Sequence, residues 1–199
     1  MAEIELRPTK RADVRTLSKV LARAFYDDPV VMYMLPDDKA RSTALPRMFA
    51  TLTRHHFLAR SASEVASRDG AVGAATLWDP PGQRKSSRLE ELMMMPTMAW
   101  TFRSRGRATR ALGRVIEKVH PEEPHWYLMV IGSDPTVRGK GFGQALMHSR
   151  LDRVDAEHAP AYLEASRAEL IPYYLRFGFE QIGEIQVPYG GPTMWPMWR

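Results

Sequence analysis

The residues from His125 to Met147 hold the densest chemical pattern in the chain. An apolar run, His125-Trp126-Tyr127-Leu128-Met129-Val130-Ile131-Gly132, passes through the turn Ser133-Asp134-Pro135-Thr136-Val137 into a basic glycine loop, Arg138-Gly139-Lys140-Gly141-Phe142-Gly143. Gln144-Ala145-Leu146-Met147 follows. The run reads as a buried strand and the last stretch as the opening of a helix. A glycine loop at a helix N-terminus leaves backbone N–H groups unpaired, and the helix dipole favours negative charge there. Glycine also removes the Cβ that would hold a phosphate away from the backbone. The predicted chemistry is the binding of a phosphorylated ligand.

The spacing excludes several such ligand sites. A dinucleotide fingerprint needs G-x-G-x-x-G directly after a strand, whereas here the glycines run G-x-G-x-G and five residues intervene. A P-loop needs a hydroxyl after its Gly-Lys, and Gly139-Lys140 is followed by Gly141. A protein-kinase loop needs companion motifs that are absent from this sequence.

The pattern that fits is Arg-x-x-Gly-x-Gly, filled by Arg138, Gly141 and Gly143. It resembles the acetyl-CoA pyrophosphate loop of the GCN5-related N-acetyltransferases (GNAT). A second stretch agrees. Tyr162-Leu163-Glu164-Ala165-Ser166 reads as a strand, and Ile171-Pro172-Tyr173-Tyr174-Leu175-Arg176-Phe177-Gly178-Phe179 resembles the family's fourth helix with its Tyr-x-x-x-Gly-Phe ending. Pro172 suits a first helical turn and Gly178 a left-handed helix end. Residues 122–199 are similar to the branch that contains puromycin N-acetyltransferase. Two positions depart from the pattern: Leu170 stands where that branch has an Asn, and Tyr127 where several members carry a glutamate base. Ser166 or Glu169 is the expected replacement cap.

The resemblance implies acetyl-CoA as co-substrate and a small amine as acceptor. Pantetheine would pair with Ile131, Gly132 and Ser133 like an added strand. The amides of Arg138, Gly139, Lys140, Gly141, Phe142, Gly143 and Gln144 would hold the pyrophosphate, and an N–H near Val130 or Ile131 would polarise the thioester carbonyl. Tyr174 would be the general acid for the departing thiolate. An alkylammonium acceptor, with a pKa near 10, needs a base at neutral pH. His125 shares a strand face with Tyr127, and its ordinary pKa of roughly 6.5 suits that work. Glu164 and Glu123 are the rivals. Asp27, Asp28, Asp37 and Asp38 offer either an acidic entrance or helix-end caps. Tyr26, Tyr33 and Trp78 offer either aromatic walls or core.

The elements that must position these groups follow from periodicity. Ile4–Pro8 predicts a strand, and Arg11–Tyr26 a helix with Val14, Leu17, Val20, Leu21, Ala24 and Phe25 on one stripe. Further helix is expected over Val30–Leu35 and Ala44–Leu58, with breaks at Pro36 and Pro46. Glu64–Arg68 and Gly70–Trp78 form a hairpin through Asp69-Gly70. The segment 83–120, with methionine-rich Leu89–Met95 and Met98–Phe102 and an amphipathic Ala111–Val119, reads as a helical insertion that can roof an acceptor pocket. A strand at Pro188, a glycine turn and a final strand close the chain. The expectation is one α+β domain over 1–199. Its mixed sheet has about seven strands, helices on both faces, and parallel central strands near Leu128 and Leu163 that splay apart.

Composition sets the outer bounds. The chain has 199 residues, 44% hydrophobic and 26% charged, enough for a full core. It contains no cysteine, so disulfides, zinc–thiolate sites and an acyl-cysteine route are excluded and acetyl transfer would be direct. The six histidines do not form a metal set. The net charge of +5 is spread, with one concentration from Arg103 to Arg114, and no aromatic-interleaved module accompanies it; nucleic acid is not expected as a partner. No apolar stretch approaches the roughly 18 residues of a membrane span, and Met1-Ala2-Glu3-Ile4-Glu5-Leu6 lacks the pattern of a secretory signal. These features read as cytoplasmic, and the sequence is compatible with a homodimer. Two other classes stay open on sequence: a non-catalytic acyl-CoA sensor, and a transferase for a protein amine.

Overall fold

A computed structural model describes residues 3–199. Met1 and Ala2, part of the stretch read for a leader, lie outside the described residues. In chain order the elements are β1 (Glu5–Pro8), α1 (Val14–Ala24), α2 (Pro29–Met34), α3 (Asp38–Leu52), α4 (Leu58–Arg60), β2 (Glu64–Arg68), β3 (Ala71–Asp79), α5 (Arg88–Phe102), α6 (Gly106–Val119), β4 (Trp126–Ser133), α7 (Phe142–Ala156), β5 (Ala161–Ala165), α8 (Ile171–Leu175), β6 (Glu180–Gln181), β7 (Ile185–Gln186) and β8 (Thr193–Trp198). The sheet order is β1-β2-β3-β4-β5-β8-β6, with β7 paired to β8. All pairings are antiparallel except β4 with β5. This is the expected mixed sheet, with eight strands.

One face of the sheet carries α1, α2 and α3. Leu17, Leu21, Leu45 and Phe49 pack there on Val65, Ala75, Leu77 and Val130. The other face carries α7 and α8, where Met147, Leu151 and Tyr174 meet Trp78, Trp126, Leu128 and Leu163. Alternating strand residues supply the two cores, as a half-buried pleat requires.

Three differences from the expected elements have local causes. Proline does not break α3 or α5: Pro46 and Pro96 sit inside them. Each removes one backbone bond, and packed helices tolerate that loss with a bend. The methionine-rich stretch is therefore one helix, started by a capping box between Ser87 and Glu90. The helix after Leu52 continues through a π-turn, Thr53–Phe57, into α4. At the C-terminus the first hairpin strand lies before Pro188, as β7, and residues 188–192 form the turn, with Tyr189 and Gly190 both at positive φ.

Candidate active site

The site begins where two strands part. β4 and β5 pair in parallel only at Trp126↔Ala161, Tyr127↔Tyr162 and Leu128↔Leu163. Beyond Leu128 they separate, and β5 turns to β8 as its other neighbour. On its far side β4 stays paired with β3 up to Ser133. Half of the backbone groups from Met129 to Ser133 thus point into a gap, because a strand's N–H and C=O groups alternate sides.

A bulge sets what faces this gap. The β3–β4 register shifts between Leu77, opposite Val130, and Trp78, opposite Leu128, so Met129 is the extra residue. The shift reverses the alternation. Leu128 packs on the α7 side and Val130 on the α1 side, after which Ile131 returns to the α7 side. Bulges re-aim strand residues in this way beside functional sites. Gly132 then meets α1. A Cβ there would lie 2.9 Å from Ala24 Cβ and 2.9 Å from Leu21 Cδ2, so glycine lets the helix cross this close.

The turn after β4 is held by Asp134. Its carboxylate accepts from the Thr136 amide at 3.0 Å, the Thr136 hydroxyl at 2.8 Å and Arg23 Nε at 2.7 Å. Burial pushes the Asp134 carboxyl up, and these hydrogen bonds outweigh it to hold the group below its ordinary range. The glycine loop follows. Gly139 and Gly141 have φ of +75° and +88°, and no side chain caps α7 behind Gly141. Phe142 is buried against Ala66, Ala74 and Leu146, so its backbone alone faces outward while its ring anchors the loop. Gln144 is exposed. The two cations are engaged with the protein: Arg138 donates to the Ala24 carbonyl at 3.0 Å and Lys140 to the Thr136 carbonyl at 2.9 Å.

A cavity of about 680 Å³ joins this end of the gap to a group of titratable side chains. Its lining includes Ile131, Gly132, Ser133 and Arg138 at one end and Tyr127, Glu164 and Tyr174 at the other. Tyr174, fourth residue of α8, is buried, and its hydroxyl makes no hydrogen bond among the described residues. Burial pushes its phenol above the ordinary 10, which keeps it a neutral donor. The adjacent Tyr173 turns instead toward Gly143, where an added Cβ would sit 3.2 Å from its hydroxyl, and burial pushes Tyr173 up to about 12.

Glu164 on β5 accepts from the Tyr127 hydroxyl at 2.8 Å through Oε2. Burial, reinforced by the Glu164 charge, raises the Tyr127 phenol well above its ordinary value. Glu164 Oε1 has no hydrogen-bond partner among the described residues and faces His120 Nδ1 across 3.7 Å. His120 Nε2 lies 3.1 Å from His125 Nε2, and His125 Nδ1 donates to the Glu123 carbonyl at 2.6 Å. A carbonyl only accepts, so the His125 proton belongs on Nδ1 and its Nε2 accepts from His120. Burial lowers the His125 imidazole below 6.5 despite that carbonyl bond.

The candidate bases thus separate. Glu164 lines the cavity; His125 does not, and it reaches Glu164 only through His120. Glu123 contributes a carbonyl to His125. His120 carried no sequence signal: it is a single histidine at the end of α6, brought onto two strands by the fold.

Chain-level comparison agrees with this geometry. The model of the acetyltransferase (GNAT) family matches residues 24–179. The chain belongs to the GNAT family. It is an N-acetyltransferase by that family match, and the family's co-substrate is acetyl-CoA. An uncharacterized N-acetyltransferase of Schizosaccharomyces pombe is 24% identical over 179 residues, covering 84% of this chain and 70% of that protein. A Corynebacterium glutamicum structure described as histone acetyltransferase HPA2 and related acetyltransferase is 26% identical, with a TM-score of 0.78, covering 100% of this chain and 96% of the other. Arylalkylamine N-acetyltransferase 2 of Aedes aegypti shares the fold, at 12% identity and a TM-score of 0.61, covering 99% of this chain and 98% of the other.

The acidic residues at the starts of α2 and α3 serve as helix caps and ion-pair partners. Asp28 Oδ1 accepts from the amides of Val30 at 2.9 Å and Val31 at 3.1 Å, and Asp37 caps α3 through Ala40 N at 2.7 Å. Asp38 pairs with Arg41, and Asp27 with Arg167. Ser166 donates to Asp28 rather than capping a helix, and neither Ser166 nor Glu169 caps α8. Of the expected aromatic walls, Trp78 is core, Tyr33 donates to the Pro188 carbonyl at 2.6 Å, and Tyr26 stacks under Arg41. The walls are Phe25, Phe49 and Phe102 instead. No helix among the described residues is long and apolar enough to cross a membrane.

Proposed function

We propose that the protein moves an acetyl group directly from acetyl-CoA to a primary amine of a small molecule, with both substrates bound together. The carrying observation is one cavity that reaches from Ser133 and Arg138 to Glu164 and Tyr174. The loop fits the co-substrate's pyrophosphate: two glycines at positive φ precede an uncapped helix N-terminus. Acetyl-CoA would supply the acetyl group as a thioester. The outward backbone of Ile131–Ser133 supports pairing with pantetheine, and an N–H near Val130 or Ile131 would polarise the carbonyl. The similarity of residues 122–199 to the puromycin N-acetyltransferase branch supports a small acceptor.

In this reading Glu164 Oε1 takes the proton that an ammonium acceptor has to lose. His120, whose Nδ1 lies 3.7 Å from that oxygen, would take the proton onward toward His125. The amine nitrogen bonds to the acyl carbon as the carbon–sulfur bond breaks, and Tyr174 gives its phenolic proton to the sulfur. Glu164 would then do the work of the carboxylate missing at Tyr127, a reading supported by the hydrogen bond between the two side chains on adjacent strands.

The test is calorimetric titration with acetyl-CoA, followed by acetyl-CoA-dependent release of CoA across a panel of amines. Binding together with release on one amine class supports the reading. Binding without release on any amine favours a non-catalytic acyl-CoA sensor. No binding contradicts both.

A further inference from the structure

The acceptor end of the cavity has a composition of its own. Phe25, Phe49 and Leu52 come from the α1–α3 layer, Met98 and Phe102 from α5, and Leu112 from α6. The segment 83–120 therefore builds half of this wall. Thioether and phenyl groups make a deformable apolar surface suited to a ring or a branched chain.

The charges around that wall are nearly all committed. Asp28 uses Oδ1 on two amides and Oδ2 on the Ser166 hydroxyl. Asp27 is paired with Arg167 at 3.3 Å, and Arg138 with the Ala24 carbonyl. Of the two buried carboxylates that line the cavity, Asp28 and Glu164, only Glu164 keeps an oxygen without a hydrogen-bond partner among the described residues; Asp27 is exposed at the rim. The Glu164 side chain is only 4% exposed, so this oxygen is shielded from bulk water. One cation is provided for, and a second would be buried against phenyl and methionine side chains unpaired.

Resting on the transferase reading above, we propose that the acceptor is a monoamine with a bulky apolar body, of the aryl-alkyl or branched-alkyl class. The single amine docks at Glu164 and the body fills the space under α5 and α6. Linear diamines, polyamines and lysine side chains of peptides fit this site poorly, because each brings a second charge or a polar backbone into the apolar wall.

Gly113 provides the handle for a test. It lies on the cavity wall in α6, and a Cβ added there meets nothing within 4 Å. A side chain at this position grows into open space, and replacing glycine within a helix does not weaken the helix. The experiment compares kcat/KM for acetylation of phenylethylamine, putrescine and a lysine-containing peptide by the wild-type protein, Gly113→Leu and Gly113→Asp. The wild type is expected to favour phenylethylamine by roughly 100-fold or more, since an unpaired buried charge costs discrimination of that order. Gly113→Leu should lower the rate on phenylethylamine several-fold by occupying the space of the ring. Gly113→Asp should narrow the phenylethylamine-to-putrescine ratio at least tenfold.

Turnover of putrescine or the peptide that equals or exceeds that of phenylethylamine overturns the acceptor class while leaving the transferase reading intact. A ratio unchanged in both variants also overturns it, because the wall would not face the amine. Binding of acetyl-CoA with no turnover of any of the three overturns the transferase reading and this proposal with it.

Discussion

Replacing Glu164 by glutamine separates its charge from its shape. The Gln carbonyl keeps the hydrogen bond from the Tyr127 hydroxyl, now 2.8 Å, and fills the same volume between β4 and β5. The loss is then confined to proton acceptance at Oε1. With an alkylammonium pKa near 10, about one amine in a thousand is neutral at pH 7. A base in the cleft recovers at most that factor, about 4 kcal/mol of barrier at 1.36 kcal/mol per pH unit. Side-chain bases contribute roughly 10²- to 10⁴-fold, which brackets the same figure. The variant should lose about 100- to 1000-fold in kcat/KM at pH 7. The deficit should shrink by about tenfold per pH unit above that and close near pH 10, where the amine is neutral by itself. The assay is the pH dependence of kcat/KM for wild type and Glu164→Gln on one amine, with melting curves to confirm the fold. A deficit independent of pH, or a loss under about threefold at pH 7, would refute the assignment of Glu164 as the base.

Tyr174→Phe should lower kcat by about 10²- to 10³-fold with the KM for acetyl-CoA nearly unchanged, since a proton donor is lost and no binding contact is removed. Its melting temperature should barely move, because the hydroxyl has no hydrogen-bond partner among the described residues; steady-state kinetics and calorimetry check both halves. Gly132→Ala should destabilise the fold by about 1–3 kcal/mol, since the new methyl would lie 2.9 Å from Ala24 Cβ and Leu21 Cδ2. A Tm equal to wild type would contradict the close crossing of α1 over β4. Glu90 links α5 to α4 through Arg60, whose hydrogen bond holds the carboxyl from 4.5 down to about 2. A depressed carboxyl adds stability above its unfolded pKa and loses it as pH falls through the folded one. The wild-type advantage over Glu90→Gln, about 1 kcal/mol or more for a pair this well covered, should hold above pH 5 and fade toward pH 2 in chemical denaturation.

What is legible in the sequence follows from which signals are local. The loop is legible because Gly139 and Gly141 stand where φ is positive, and Gly178, at φ +79°, ends the α8 turn for the same reason. The hairpin at Asp69-Gly70 and the parting strands follow from turn chemistry and from the resemblance. The bulge at Met129 is not legible, since an apolar strand reads the same in either register. The helix break expected at Pro46 fails because tertiary packing outweighs one lost backbone bond. His120 is invisible for a different reason. Its partners, His125, Tyr127, Tyr162 and Glu164, come from two strands that are neighbours only in space.

If the acetyl group passes directly to an amine held between β4 and β5, it never rests on the polypeptide. Acetyl-CoA carrying an isotopically labelled acetyl group, incubated with the protein and phenylethylamine and resolved by mass spectrometry, follows that path atom by atom. Label is expected on the amine nitrogen in amounts that exceed the protein, with none left on the polypeptide. Label retained covalently on a protein side chain would contradict direct transfer.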